Sequence, residues 1–134
     1  MASKLNPYLT FGGNAREAME FYNAAFGGEL TLQTYKEMNM AQSPDQDNLV
    51  GHSQFVATDN MTLMGSDDPE GESYSASVAV SGENLDELRG YWDKLSDGAT
   101  VLAPFETAPW GDTFGMLMDK FGIRWMINVV TAAQ

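Results

Sequence analysis

The sequence predicts an α+β fold built from two copies of one β-α-β-β-β unit. Three observations predict it. A helix-like stretch occurs twice, strand-like segments flank both copies, and a hairpin pattern closes each half of the chain.

Residues 14–28 can be laid on residues 84–98 at a constant offset of 70, which pairs Asn14 with Asn84, Glu17 with Glu87, Tyr22 with Trp92 and Gly28 with Gly98. Asn followed three positions later by Glu is a capping-box pattern, in which two side chains satisfy orphan amides at a helix start. Ala15, Ala18, Tyr22 and Ala25 recur at helical spacing, as do Leu85, Leu88, Trp92 and Leu95, giving each helix one apolar stripe. Gly28 and Gly98 are expected as left-handed C-terminal caps. Strands are expected before the helices at 7–11 and 75–80, and after them at 29–35 and 99–102. In the segment 75–80, Val78 and Val80 alternate with smaller or polar residues, the period of a half-buried strand. The closing hairpins are expected at 52–58 with 61–64, turned at Asp59-Asn60, and at 114–118 with 123–130, turned through Lys120-Phe121-Gly122. Here the halves match at an offset of 62, because the loop over 36–50 is longer and is expected to be exposed and mobile. The polar run Asp67-Asp68-Pro69-Glu70-Gly71-Glu72 is expected as the linker. Residues 1–134 therefore form one domain, with module one over 1–70 and module two over 71–134.

Composition narrows the function classes. A chain of 134 residues with 43% apolar content, three Trp, five Tyr and seven Phe can bury a core of one ordinary domain. No apolar run approaches the ~20 residues that cross a bilayer, and residues 1–6 carry no apolar leader core, so no membrane partner and a cytoplasmic location are expected. The absence of cysteine excludes disulfides, thiolate metal sites and a Cys nucleophile. Nineteen acids against seven scattered bases give a formal charge of −12, which repels a phosphate backbone, so no nucleic-acid partner is expected. Nine methionines suit a core or an adaptable binding surface.

The strand-helix-three-strand order given twice resembles the vicinal oxygen chelate superfamily of glyoxalases, bleomycin-resistance proteins and extradiol dioxygenases. The wording is closest to its PhnB-like branch. Residues 7–14, then Ala18-Met19-Glu20-Phe21-Tyr22 and Phe26-Gly27-Gly28-Glu29, look like that branch's opening. Leu63-Met64-Gly65-Ser66-Asp67 resembles the end of its first module, and residues 119–128 resemble its closing signature. The resemblance covers nearly the whole chain. It implies a curved mixed sheet around a small-molecule pocket, helices on the outer face, and a bacterial homodimer in which modules of two chains complete one another's sheets. Some members carry the name of a ubiquinone methyltransferase, but this chain has no glycine-rich strand-to-helix loop for a nucleotide-type cofactor.

Metal-using members of the superfamily hold one divalent ion with His, Gln or Glu from the first and last strand of each module. The resemblance puts Asn6, Pro7 or Tyr8, then Met64, then Ser75 or Ser77, then Met126 at those places. None is a good donor for a hard or borderline divalent ion, so no metal and no other cofactor is expected, with a divalent metal disfavoured. The single histidine, His52, has no partner histidine. A structural role, with its ring nitrogens hydrogen-bonded in or near the pocket, is the first expectation for it, and it is the best candidate should an acid-base residue be used. No Gly-x-Ser-x-Gly elbow is present to support serine chemistry.

If the sheet curls as the resemblance implies, alternation nominates Tyr8, Thr10, His52, Gln54, Ser75 and Ser77 for the pocket, with Met64 and Met126 in the vacated metal positions and Trp110 on the rim. Leu9 and Phe11 turn to the helix, and Trp125 fills the core. Arg124 faces either solvent or a ligand anion. The expected function is binding of a small organic molecule. The alternative is a lyase, isomerase or dioxygenase-type enzyme that uses a divalent metal or His52.

Overall fold

The computed structural model describes residues 5–58, 61–74 and 76–130. Two helices and eight strands follow one another in the repeated order. They are β1 (Tyr8–Phe11), α1 (Ala15–Phe26), β2 (Glu29–Thr34), β3 (Val50–Thr58), β4 (Met61–Asp67), β5 (Ser77–Gly82), α2 (Leu85–Leu95), β6 (Thr100–Thr107), β7 (Thr113–Met118) and β8 (Arg124–Val129). The chain divides into two compact units, Met1–Tyr74 and Ser75–Gln134, a little beyond the expected boundary at Gly71. Each unit carries its own open four-stranded sheet, ordered β1-β4-β3-β2 in the first and β5-β8-β7-β6 in the second. Within each, the first strand runs parallel to the last and the other pairs are antiparallel. The α+β fold of two repeated units is thus as predicted.

One face of each sheet is closed by its helix. In the first unit Leu9, Phe11, Phe55 and Leu63 are buried together with Ala15, Ala18, Met19, Tyr22, Ala25 and Phe26 of α1. In the second, Trp125, Ile127 and Leu117 are buried with Leu88, Trp92 and Leu95 of α2, while Leu85, counted in the apolar stripe, is 41% exposed at the helix start. Gly115 lets Trp92 stack on Phe105, with ring centroids 5.4 Å apart. A Cβ at that glycine would lie 2.8 Å from the Trp92 ring and 2.9 Å from the Phe105 backbone.

The helix ends differ from expectation. Asn84 does cap α2, its Oδ1 accepting from the Glu87 amide at 3.0 Å. Asn14 makes no such bond. The start of α1 is held instead by Asp67, whose Oδ1 accepts from the amides of Gly13 (3.0 Å) and Ala15 (2.9 Å), while Oδ2 accepts from the Val50 amide at 2.9 Å. Asp67 is only 3% exposed, and the Tyr35 hydroxyl donates to its carbonyl at 2.7 Å. The residue expected to begin a linker is therefore the last of β4 and ties α1, β3 and the start of the long loop together. That loop contains a short 3₁₀ turn, Pro44–Gln46, and is pinned by amides of Tyr35 and Lys36 donating to Leu49 and Asp47 carbonyls.

The left-handed cap of α1 is Gly27 (φ 74°), not Gly28. Gly28 serves close approach, since a Cβ there would sit 2.7 Å from the Val56 carbonyl oxygen. In α2 the C-cap is Ser96, with right-handed backbone, and Gly98 (φ 75°) follows in the turn. β6 extends past its expected end through Pro104 to Thr107, with register shifts on either side of Ala103. The turn expected at Asp59-Asn60 lies outside the described residues. No described helix is long and apolar enough to cross a membrane.

Candidate functional site

The face of each sheet turned away from its helix carries the nominated strand residues that the structure describes. On β1, Leu9 and Phe11 point to the helix, so Tyr8 and Thr10 stand on the open face. The register then sets Tyr8 beside Met64, Met64 beside Gln54, and Gln54 beside Thr31, one row running from edge to edge. Thr10 is beside Ser66, and His52 stands two residues from Gln54 on the same face. The first sheet thus brings Tyr8, Thr10, His52, Gln54 and Met64 onto one surface.

Two of these residues interact directly. The Tyr8 hydroxyl lies 3.2 Å from His52 Nδ1, and the two rings are tilted at 32° with centroids 5.8 Å apart. When the phenol donates to Nδ1, the ring proton resides on Nε2, which remains free to donate outward. The pair spans the sheet from its edge strand β1, across β4, to β3. Beneath it the loop end is fixed by Tyr35, whose phenol is pushed up chiefly by burial and further by the nearby carboxylates of Asp68 and Asp67 and by Tyr8.

The second sheet has a different open face. Trp125, Ile127 and Val129 of β8 point to the helix, leaving Arg124, Met126 and Asn128 on the other side. Met126 is flanked by Ala79 and Met116, Arg124 by Ser77 and Met118, and Asn128 by Ser81 and Phe114. Ser77 therefore lies beside Arg124, and Ala79, rather than Ser75 or Ser77, is the neighbour of Met126. Ser75 lies outside the described residues. Trp110 is 59% exposed and leans on Phe114, ring centroids 5.7 Å apart at 60°. Asn128 donates from Nδ2 to Asp112 Oδ2 at 3.1 Å, which ties β8 to the segment that carries Trp110. Two further groups were missed in sequence: Met116 and Met118, which the alternation of β7 exposes, and Asp119. The buried Asp119 accepts from the amides of Phe121 and Ile123 and, at 2.8 Å, from the Trp125 indole, fixing the turn before β8.

The strand pairs β1-β4 and β5-β8 supply the places where superfamily members grip a metal. Here they present Tyr8 beside Met64 and Ala79 beside Met126. Neither pair, a phenol beside a thioether in the first unit and a methyl beside a thioether in the second, offers the oxygen or imidazole donors that a hard or borderline divalent ion prefers. Among the described residues no three of His, Asp and Glu gather into a ligand cluster.

An α+β repeat whose parallel outer pair and antiparallel hairpin recur in each unit is the architecture of the glyoxalase/bleomycin-resistance/dioxygenase superfamily. A member of that superfamily from Sphaerobacter thermophilus has the same fold, with a TM-score of 0.58 at 16% identity over 97% of this chain and 98% of that one. The family model described as 3-demethylubiquinone-9 3-methyltransferase matches residues 3–128, and the chain belongs to that family, the PhnB-like branch. Protein YjdN of Escherichia coli K12 is 31% identical, the match covering 94% of this chain and 95% of YjdN. A Bacillus cereus structure described as a putative 3-demethylubiquinone-9 3-methyltransferase, PhnB protein, superposes with a TM-score of 0.77 at 27% identity, covering 96% of this chain and all of that one (100%).

Proposed function

We propose that the protein binds a small organic molecule on the open sheet faces, without the four-ligand metal site of the superfamily. The observation that carries this reading is the Tyr8–His52 pair, set on one surface with Thr10, Gln54 and Met64. An aromatic ring, a thioether and several hydrogen-bonding groups that converge suit a planar, partly apolar ligand. Family membership supports the superfamily part of the reading, and the poor donor set at the four metal positions supports the metal-free part.

A thermal-shift screen of the full chain against aromatic metabolites, antibiotics and S-adenosylmethionine tests it. Stabilisation by an aromatic compound, lost in Tyr8→Phe and His52→Ala, is the expected result. No stabilisation by any compound sinks the reading, and stabilisation by S-adenosylmethionine alone would replace it with the methyl transfer in the family's description.

The Tyr8–His52 contact also favours a second reading, an enzyme of lyase or isomerase type with His52 as acid-base and Tyr8 setting its tautomer. Turnover of a screened ligand that survives His52→Ala removes it. We further infer a homodimer, as the superfamily resemblance implies; a monomer mass by light scattering refutes this.

A further inference from the structure

The open face of the second sheet holds a cation, Arg124. Lys120 is paired with Asp97 at 3.7 Å, and the Arg89 guanidinium lies 5.1 Å from the Phe105 ring centroid. Arg124 has neither kind of partner among the described residues. Its backbone is fixed, because the Arg124 amide donates to the Ala76 carbonyl at 3.0 Å and Asp119 anchors the preceding turn. Its side chain rises between Ser77 on β5 and Met118 on β7.

Those residues, with Ala76 and Gly122, line a shallow depression of about 540 Å³. One wall therefore offers a guanidinium fork and a serine hydroxyl, while Met118 offers an apolar, polarizable surface. Along the sheet that surface continues through Met116 and Met126, which are direct neighbours across β7 and β8. Guanidinium recognises planar oxyanions by paired hydrogen bonds, and thioethers make favourable contacts with aromatic edges.

From this juxtaposition we propose that the second sheet is an anchoring site for an aromatic carboxylate. The carboxylate bonds to Arg124 and the Ser77 hydroxyl, and the ring lies along Met118 towards Met126 and Met116. The proposal rests on the proposed function only in taking the open sheet faces as ligand faces. The long-range field of a protein of charge −12 opposes any anion, so selectivity for the anion must come from these short contacts.

The test is a titration of the full chain, with isotope-labelled methionine methyl groups and arginine Nε, using benzoate, its neutral analogue benzamide, and inorganic phosphate. Benzoate is expected to shift the Arg124, Met118 and Met126 signals together. Benzamide should bind about tenfold more weakly, the ~1.4 kcal/mol expected of one charge-assisted hydrogen bond. Phosphate should move Arg124 and leave the methionine signals in place. Arg124→Gln should abolish the preference for benzoate, and Arg124→Lys should retain part of it, which separates loss of charge from loss of fold.

Equal affinity for benzoate and benzamide, an unchanged preference in Arg124→Gln, or no response of Arg124 to benzoate overturns the proposal. If the Met64 signal, beside Tyr8 on the first sheet, responds while Arg124 is silent, the proposal falls and the proposed function stands. If Arg124 and Met118 respond while Met64 does not, for any compound tested, the anchoring site stands and the carrying observation of the proposed function fails.

Discussion

Asp67→Asn is the substitution that probes the first unit most sharply, because it changes one atom and little volume. Three buried or part-buried amides converge on the Asp67 carboxylate, two on Oδ1 and one on Oδ2. An asparagine can keep its oxygen towards Gly13 and Ala15, but its amide nitrogen then faces the Val50 N–H, donor against donor. Val50 is 1% exposed, so water cannot replace the lost acceptor. An unsatisfied buried amide costs about 1–3 kcal/mol. Removing the negative charge from the start of α1 costs a further ~0.3–1 kcal/mol. The sum is roughly 3 kcal/mol, a large share of the ~5–15 kcal/mol that holds a domain folded.

Urea unfolding followed by circular dichroism measures it, with an unchanged m-value required for the comparison to hold. Amide exchange at Val50 should accelerate with it. Asp68→Asn is the control, since among the described residues that carboxylate accepts only from the exposed amides of Glu70 and Glu72, and the change should cost less than about 1 kcal/mol. A loss below ~1 kcal/mol in Asp67→Asn, or one equal to that of Asp68→Asn, would refute the role assigned to Asp67.

Three further outcomes follow from the same reasoning. Asn84→Ala should destabilise by about 1 kcal/mol and Asn14→Ala by a few tenths at most, since only the former accepts a capping bond; equal losses in denaturant melts would contradict this. Gly115→Ala should cost ~1–3 kcal/mol through collision with Trp92 and the Phe105 backbone, and should disturb the tryptophan near-ultraviolet dichroism. Tyr91, whose phenol is pushed up to about 12 by burial and by its hydrogen bond to Glu87, contributes stability that is complete below its ordinary value of 10.0. That contribution disappears as pH rises towards 12, so Tyr91→Phe should flatten the decline of stability across that alkaline window.

Much of the fold was legible because its determinants are local. Two apolar stripes at helical spacing and period-two strands located both helices and most strands. What escaped depends on contacts distant in sequence. Asn14 and Asn84 open the same pattern, yet only Asn84 caps, because a carboxylate 52 residues beyond Ala15 already occupies the start of α1. Gly27 and Gly28 are adjacent, and only the backbone distinguishes the residue needed for positive φ from the one needed for close approach. Pro104 hid the length of β6, since a proline is tolerated in an edge strand that shifts register beside it. At the candidate site, alternation placed Tyr8, Thr10, His52 and Gln54 on one face. It could not supply the side of β5 that meets Met126, because that depends on the parallel register with β8, where a two-residue slip exchanges Ser77 for Ala79.

That register has a consequence for how the two units have diverged. Tyr8 and Ala79 are equivalent positions, each beside the methionine of its own last strand, and so are Met64 and Met126. The equivalence holds in backbone and fails in chemistry. The first unit puts a phenol there and hydrogen-bonds it to the lone histidine, so its open face is aromatic and polar. The second puts a methyl there and sets Met116 beside Met126 and Met118 beside Arg124. Tyr8→Ala would make the first unit resemble the second at this position, removing the hydroxyl that holds His52 while leaving the core beneath untouched, because Tyr8 is 48% exposed. Stability should change by less than about 1 kcal/mol, while binding of any compound found on the first face should be lost. Loss of both together would mean that the open face is part of the structural core rather than a surface kept for a ligand.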